Sequence, residues 1–146
     1  MREPVRFAVS LLGLRPGRIG GTETYLRELV EHLPVVAERD ELVALLNPEA
    51  ADALATPGLE RAILPRSDRA LVAARGLEAL LRWRARDAEA LLAGVRADAV
   101  LFPQQSVFPL RTRAPAVLTV HDVLHRTHPR QLGLAERAFR AGVYGA

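Results

Sequence analysis

Two segments of this chain carry residues whose types and order could do chemistry, and the first is a glycine turn. Gly20 and Gly21 stand directly before Thr22, Glu23 and Tyr25. Glycine lets an anion approach the backbone closely, and the unpaired N–H groups of a following helix, with its positive dipole end, attract negative charge. Neither a G-x-G-x-x-G dinucleotide fingerprint nor a P-loop occurs here. The alternative to an anion site is a purely structural turn between strand and helix, with Thr22 as the helix cap, and both interpretations stay open.

The second segment is Val120-His121-Asp122. His121 could donate a hydrogen bond to a substrate hydroxyl or phosphate, or act as an acid or base. Asp122 could orient the imidazole ring or cap the turn, and a loop histidine that caps a neighbouring turn is the structural alternative. We favour the functional interpretation, because the histidine follows a predicted strand at the edge where ligands bind.

The histidine segment also has a spacing that superficially resembles a metal cluster. Its members are His121, Asp122, His125 and His128. Pro129 and the predicted loop argue against the regular helix that would bring these side chains together. Neutral loop histidines are therefore the favoured interpretation, and we predict no metal site.

Two further polar groups are ambiguous. Residues 104–106, Gln-Gln-Ser, follow a predicted strand and could bind sugar hydroxyls or form an ordinary loop. Arg75, Arg82 and Arg86, with Trp83 close by, fall on nearly one face of a predicted helix. That face could bind an anionic membrane or a phosphate, but interspersed acidic residues favour a solvated surface.

Composition restricts the class of protein. The chain has 146 residues, about the size of one domain, with 49% hydrophobic and 25% charged residues, so a packed core is expected. Absence of cysteine excludes disulfides and thiolate metal sites, and fits a cytoplasmic location. Every basic residue is arginine, but the net charge of +3 is too small to indicate a nucleic-acid binder. No run of about 18 apolar residues suggests a membrane span.

Hydrophobic patterning predicts strands that alternate with helices. The predicted strands are residues 5–12, 41–46, 59–64, 97–102 and 115–120. The predicted helices are residues 22–33, ended by Pro34, then 49–54, 68–95 with a kink or division at Gly76, and 131–144, with a loop over 121–129. This alternation predicts a doubly wound, Rossmann-like α/β domain over residues 1–146, with a parallel sheet and helices on both faces. Both chemical segments and residues 104–106 follow strands, so they should share one edge of the sheet.

With these segments in place, the chain resembles the N-terminal, acceptor-binding domain of glycosyltransferase family 4, a group of retaining enzymes with the GT-B fold. The first matching segment is residues 20–29, GGTETYLREL, which follow the first predicted strand. Further matches are residues 98–103, DAVLFP, and residues 115–122, PAVLTVHD, followed by Pro129. The order and spacing fit across nearly the whole chain.

The resemblance implies an enzyme that moves a sugar from a nucleotide diphosphate sugar to an acceptor hydroxyl with retention and without a required metal or other cofactor. Such enzymes have two Rossmann-like domains that face a cleft. The C-terminal domain, which holds the donor and carries a pair of glutamates, has no counterpart in these residues. We therefore expect the isolated chain to be inactive and the parent protein to be the enzyme.

The resemblance also assigns roles. Gly20 and Gly21 would place backbone N–H groups near the donor diphosphate or the acceptor. Thr22, Glu23 and Tyr25 would shape the acceptor pocket. His121 would be the catalytic residue that hydrogen-bonds the donor sugar or the transferring centre, with Asp122 beside it.

Partners and location follow as expectations. The ligands would be a nucleotide sugar and an acceptor that is a sugar, a lipid-linked molecule or a small molecule. The missing C-terminal domain would be a partner, its loss would leave an apolar face open to self-association, and peripheral contact with the inner face of the membrane is a further expectation. The competing interpretation is a non-catalytic Rossmann-like module that binds or regulates.

Overall fold

The architecture is a five-stranded parallel sheet between helices. The structure is a computed structural model that describes residues 3–18, 20–54 and 56–144. The strands are β1 Arg6–Ser10, β2 Glu41–Leu46, β3 Glu60–Ile63, β4 Ala99–Phe102 and β5 Ala116–Leu118. They pair in the order β3-β2-β1-β4-β5, and every pairing is parallel. This confirms the predicted α/β fold with a doubly wound sheet.

Six α-helices and one short 3-10 turn, Pro129–Gln131, connect and flank the strands in the described part of the chain. They are α1 Gly21–Val36, α2 Pro48–Ala53, α3 Asp68–Leu81, α4 Arg86–Val95, α5 Leu124–Thr127 and α6 Leu134–Tyr144. Helices α3 and α4 pack on one face of the sheet, and α1 and α2 pack on the other. None of the helices in the described ranges is both long and apolar enough to cross a membrane.

Strand β2 shows why both faces are covered. Its side chains alternate, so Val43 and Leu45 enter the core under α3 and α4, while Ala44 and Leu46 enter the core under α1 and α2. All four are at most 1% exposed. A strand with apolar residues at every position is stable only between two helical layers, as the sequence predicted.

The prediction that Pro34 ends the first helix is wrong, because α1 continues to Val36. Proline lacks an N–H and disrupts the preceding turn of a helix. Here it lies in the last turn, where only one helical hydrogen bond is lost. Thr22 is not the cap either, because Gly20 is the N-cap residue and makes no side-chain bond.

The predicted helix over 68–95 is two helices, and the break lies at Arg82, not at Gly76. Arg82 adopts a left-handed conformation with φ 55°, and its N–H donates to the Leu77 carbonyl. The carboxylate of Glu78, only 3% exposed, accepts a hydrogen bond from the N–H of Leu110 at 3.0 Å. A buried tertiary contact therefore anchors the helix just before the break. Because Arg75 belongs to α3, Arg82 lies at the break and Arg86 begins α4, these arginines do not share one helix face.

The last part of the chain also differs from prediction. The segment expected to be a loop, 121–129, contains the short helix α5, and the final helix begins at Leu134 instead of residue 131. Helix α6 packs against α3. This contact brings α6 across the carboxyl edge of the sheet, where the predicted chemical segments lie.

Part of the sheet is not covered on the α1 side by any helix of the described ranges. Val117 of β5 is 59% exposed and lines a small apolar hollow with Phe7, Leu33 and Leu101. An exposed apolar strip of this kind is a place where association can occur. Self-association of the chain stays a prediction.

Candidate functional site

A cleft of about 640 Å³ opens at the carboxyl edge of the sheet, between the loops that follow β1 and β4. The strand order reverses between these two strands, so their following loops diverge to opposite faces and leave a crevice. The lining residues come from five places in the chain: Gly13, Arg15, Arg18 and Thr22; Val72 and Arg75; Gln104, Gln105 and Ser106; His121 and Asp122; and Glu136, Phe139 and Arg140. The cleft brings residues 104–106 and His121 together with Arg18 and Thr22, which stand on either side of the glycine turn, although Gly20 and Gly21 themselves do not line it.

The first wall is a loop held in place by a buried asparagine. Asn47, at the end of β2, is 0% exposed, and its Nδ2 donates to the carbonyls of Leu12 and Leu14 at 3.2 and 2.9 Å. Its Oδ1 accepts from the N–H of Ala50 at 2.7 Å, which caps α2. Because these bonds lie on either side of Gly13, Asn47 sets the path of the loop that begins the cleft.

Gly13 allows two polar side chains to approach the backbone. A Cβ atom at this position would lie 2.6 Å from Gln104 Oε1 and 2.9 Å from Arg75 Cζ. Arg75, half-buried, donates through Nη2 to the hydroxyl of Ser106. Because Gly13 has no side chain, the ends of the Arg75 and Gln104 side chains can lie against the backbone at this point of the cleft, and a larger residue would displace them.

The glycine turn begins α1 in a conformation that favours glycine. Gly20 has φ 51° and ψ −128° and serves as the N-cap residue. Its carbonyl accepts from the N–H groups of Glu23 and Thr24 at 2.9 and 3.3 Å. A ligand at this helix end could therefore use at most the N–H groups of Gly21 and Thr22. Thr22 lines the cleft, whereas a Cβ added at Gly21 would meet open space.

The carboxylate of Glu23 binds the loop before the glycine turn and the next turn of α1. Its Oε2 accepts from the N–H of Gly17 at 2.6 Å, and its Oε1 accepts from Nη2 of Arg27 at 2.8 Å. The hydrogen bond from Arg27 lowers the pKa of the Glu23 carboxyl, and the N–H groups of Gly17 and Arg18 lower it further. Glu23 does not belong to the residues that line the cleft. Its contacts brace the loop, and its assignment to an acceptor pocket stays a prediction.

His121 has a defined orientation at the cleft. Its Nε2 lies 2.7 Å from the carbonyl oxygen of Pro103. A carbonyl only accepts, so Nε2 carries the proton and the neutral ring has its lone pair on Nδ1. The Tyr25 ring meets the imidazole edge-on, with centroids 5.1 Å apart. Tyr25 thus supports His121, and Nδ1 is the atom that can accept a hydrogen bond from a ligand.

Asp122 is engaged by the last helix. Its Oδ1 accepts from Nη1 of Arg140 at 2.6 Å, and Arg140 also pairs with Glu136 at 3.0 Å. The backbone carbonyl of Asp122 accepts from the amide of Gln105. Asp122 therefore links the loop after β5 to α6 and to the loop after β4, a connection that the sequence did not predict.

The cleft has an excess of positive charge. Four arginines and two acidic residues line it, namely Arg15, Arg18, Arg75 and Arg140 against Asp122 and Glu136. Both acidic residues pair with Arg140, and Arg15 pairs with Asp68 at 2.8 Å. Arginine presents a planar set of donors that matches phosphate and carboxylate geometry, so the cleft suits an anionic ligand.

These arginines are the residues that sequence reasoning missed. Arg15 and Arg18 lie beside the glycine turn, and their position could have identified them. The sequence groups Arg75 with Arg82 and Arg86 on one helix face, whereas the helix ends at Leu81 and only Arg75 of the three lines the cleft. Nothing in the sequence around Arg140 points to the cleft, since only the packing of α6 on α3 brings it there.

The histidine spacing does not produce a metal cluster in the part of the chain that the structure describes. No group of three or more histidine, aspartate or glutamate side chains that could hold a metal occurs there. His128 is exposed, and its Nδ1 contacts the hydroxyl of Thr127 at 3.0 Å. The side chain of His125 lies outside the described residues.

Comparisons of the chain with protein-family models, with curated proteins and with solved structures found no match. Resemblance to glycosyltransferase family 4 therefore rests on the sequence motifs.

Proposed function

We propose that this chain is the acceptor-side, N-terminal domain of a retaining glycosyltransferase that uses a nucleotide diphosphate sugar. The observation that carries the proposal is the cleft at the switch point, where His121, the start of α1 and an excess of arginine meet. The sequence resemblance adds the expected chemistry. The activity would belong to the whole protein, with the donor held between this cleft and a second domain.

The charges support a diphosphate leaving group. Negative charge develops on the diphosphate as the bond to the sugar breaks, and donors already in place stabilise that charge most effectively. Arg18 and Arg75 belong to the cleft lining, and the N–H groups of Gly21 and Thr22 lie at the positive end of the α1 dipole. No metal ion is required for this stabilisation.

His121 would position the sugar. Because Nε2–H is engaged by Pro103, Nδ1 accepts a hydrogen bond from a sugar hydroxyl in the neutral ring. The ring is oriented before the ligand binds, through Pro103 on one nitrogen and Tyr25 against the ring. Such a group contributes by orientation instead of nucleophilic attack.

The test uses the protein encoded by the whole reading frame. Release of nucleotide diphosphate from a panel of nucleotide sugars is measured with sugar, lipid-linked and small-molecule acceptors, and the anomeric configuration of the product is read by NMR. We expect His121→Ala to lower kcat by about a hundredfold or more. His128→Ala is the matched control, because His128 is an exposed loop histidine that does not line the cleft.

Two results would contradict the proposal. Near-native kcat for His121→Ala in a folded protein would remove His121 from the mechanism. Sugar transfer by residues 1–146 alone would refute the requirement for a second domain. Absence of transfer with every donor, together with ligand binding in the cleft, would favour the competing interpretation of a non-catalytic binding module.

A further inference from the structure

A second groove, of about 700 Å³, lies along α4 and the segment that leads into β5. It shares no lining residue with the cleft at the carboxyl edge of the sheet. We call it the arginine groove, because it is lined by Arg84, Arg86, Arg96, Arg111 and Arg113, with one acidic residue, Glu89. The proposed sugar-transfer chemistry makes no use of it.

The charge of this groove is far from balanced. Glu89 is hydrogen-bonded to Arg84, and this bond is the main cause of its lowered pKa, with further contributions from Arg111 and Arg86. One carboxylate thus faces three guanidinium groups, and Arg96 and Arg113 add two more. Within the described residues no ion pair is formed by Arg86, Arg96, Arg111 or Arg113. Like charges held together without counter-charges favour binding of an anion.

One buried carboxylate lies against both walls of the groove. Glu78 accepts a hydrogen bond at 3.0 Å from the N–H of Leu110, next to Arg111, and the N–H of Ala85, between Arg84 and Arg86, also lowers the pKa of this carboxyl. The second wall is tightened further by Thr112, whose hydroxyl bonds to both the N–H and the carbonyl of Ala114 at 3.2 Å. The arginines are therefore presented from anchored backbone, which lowers the ordering cost of binding.

We propose that the arginine groove is a binding site for a phosphate-rich anion. Guanidinium groups form paired hydrogen bonds with phosphate oxygens, and the volume exceeds the need of a single phosphate. The phosphates could belong to a free polyphosphate-type ligand or to lipid headgroups. The turn before α4 bears on this choice, because Leu80, Leu81 and Trp83 are 54%, 70% and 46% exposed beside Arg82 and Arg84 and could enter a lipid interface.

The test measures binding of tripolyphosphate by calorimetry and retention on vesicles of phosphatidylcholine with and without phosphatidylglycerol. The double variant Arg111→Gln/Arg113→Gln should weaken binding at least about tenfold and reduce its salt dependence. Arg39→Gln/Arg130→Gln is the matched control, since both arginines are exposed, lie outside the groove and give the same change in net charge. The control should bind within about twofold of wild type.

The two arms identify the source of the phosphate. Tripolyphosphate binding without vesicle retention indicates a free anion, whereas retention that requires the anionic lipid and is lost in Trp83→Ser indicates headgroups. The proposal is overturned if wild type binds neither probe, if the groove variant binds as tightly as wild type, or if the control variant weakens binding as much as the groove variant. Neither readout depends on sugar transfer.

Discussion

A substitution at Asn47 can alter the loop that begins the cleft without changing any residue that lines the cleft. In Asn47→Asp, Oδ1 remains to cap α2 through the N–H of Ala50, but the amide that donates to Leu12 and Leu14 is lost. A buried polar group left without a partner costs about 1–3 kcal/mol, so two unsatisfied carbonyls should lower the free energy of unfolding by about 2–6 kcal/mol. A domain of ordinary stability has about 5–15 kcal/mol, so this is a large fraction of it.

The measurement is urea denaturation followed by far-UV circular dichroism. Gln131→Glu serves as the control, because it also replaces an amide with a carboxyl but at an exposed position. The new carboxyl at position 47 would be buried, so its pKa would be raised in the folded state. The loss of stability should therefore become larger as the pH rises from about 4 to 7.

Loop geometry provides a second readout of the same change. When the bonds to Leu12 and Leu14 are lost, the loop that carries Gly13 is no longer held, and anion binding in the cleft should weaken together with stability. Stability within about 0.5 kcal/mol of Gln131→Glu, the range of ordinary surface substitutions, would refute this account of Asn47.

Two further predictions concern Glu78 and Gly13. Glu78→Gln replaces one carboxylate oxygen with an NH₂ group that cannot accept from the N–H of Leu110, and should cost about 1–3 kcal/mol, against almost nothing for the exposed Glu31→Gln. Burial raises the pKa of the Glu78 carboxyl, so the protonated form contributes stability at low pH that is lost as the pH rises through the raised value. In urea denaturation the difference in unfolding free energy between wild type and Glu78→Gln should therefore become smaller as the pH rises. A difference that grows with pH would contradict this. Gly13→Ala should displace Arg75 and weaken pyrophosphate binding in the cleft about tenfold by calorimetry, whereas Gly94→Ala, in open space within α4, should leave binding unchanged and raise thermal stability slightly. Equal pyrophosphate affinity in both glycine variants would contradict the close-packing role of Gly13.

Much of the chemistry in this molecule depends on arginines whose neighbours are far away in sequence. In the cleft, Arg75 of α3 meets Ser106 across 31 positions, and Arg140 of α6 meets Asp122 across 18. In the arginine groove, α4 faces the segment before β5. Long-range contacts of this kind leave no local pattern in the sequence, because the periodicity of a helix reports which face is apolar and not what lies opposite its polar face.

By itself the sequence determined the layer architecture. Strand β2 is predicted at its observed bounds, because five consecutive apolar residues after Glu41, ended by Asn47-Pro48, are typical of a parallel strand that is covered on both faces. The same alternation placed the glycine turn, residues 104–106 and His121 at one edge, since the carboxyl ends of parallel strands lie together.

Only the tertiary structure decided how that edge is built. The helix break lies at Arg82, near the buried Glu78, and not at Gly76, and the carboxylate of Glu23 binds the N–H of Gly17 in the loop before the glycine turn. In the sequence Asn47 only marks the end of a strand, yet its side-chain amide donates to the carbonyls of Leu12 and Leu14, which lie 35 and 33 positions earlier. Local propensity sets where elements form, but a buried polar group must find its partner wherever the fold places one, and that choice is made by the assembled core.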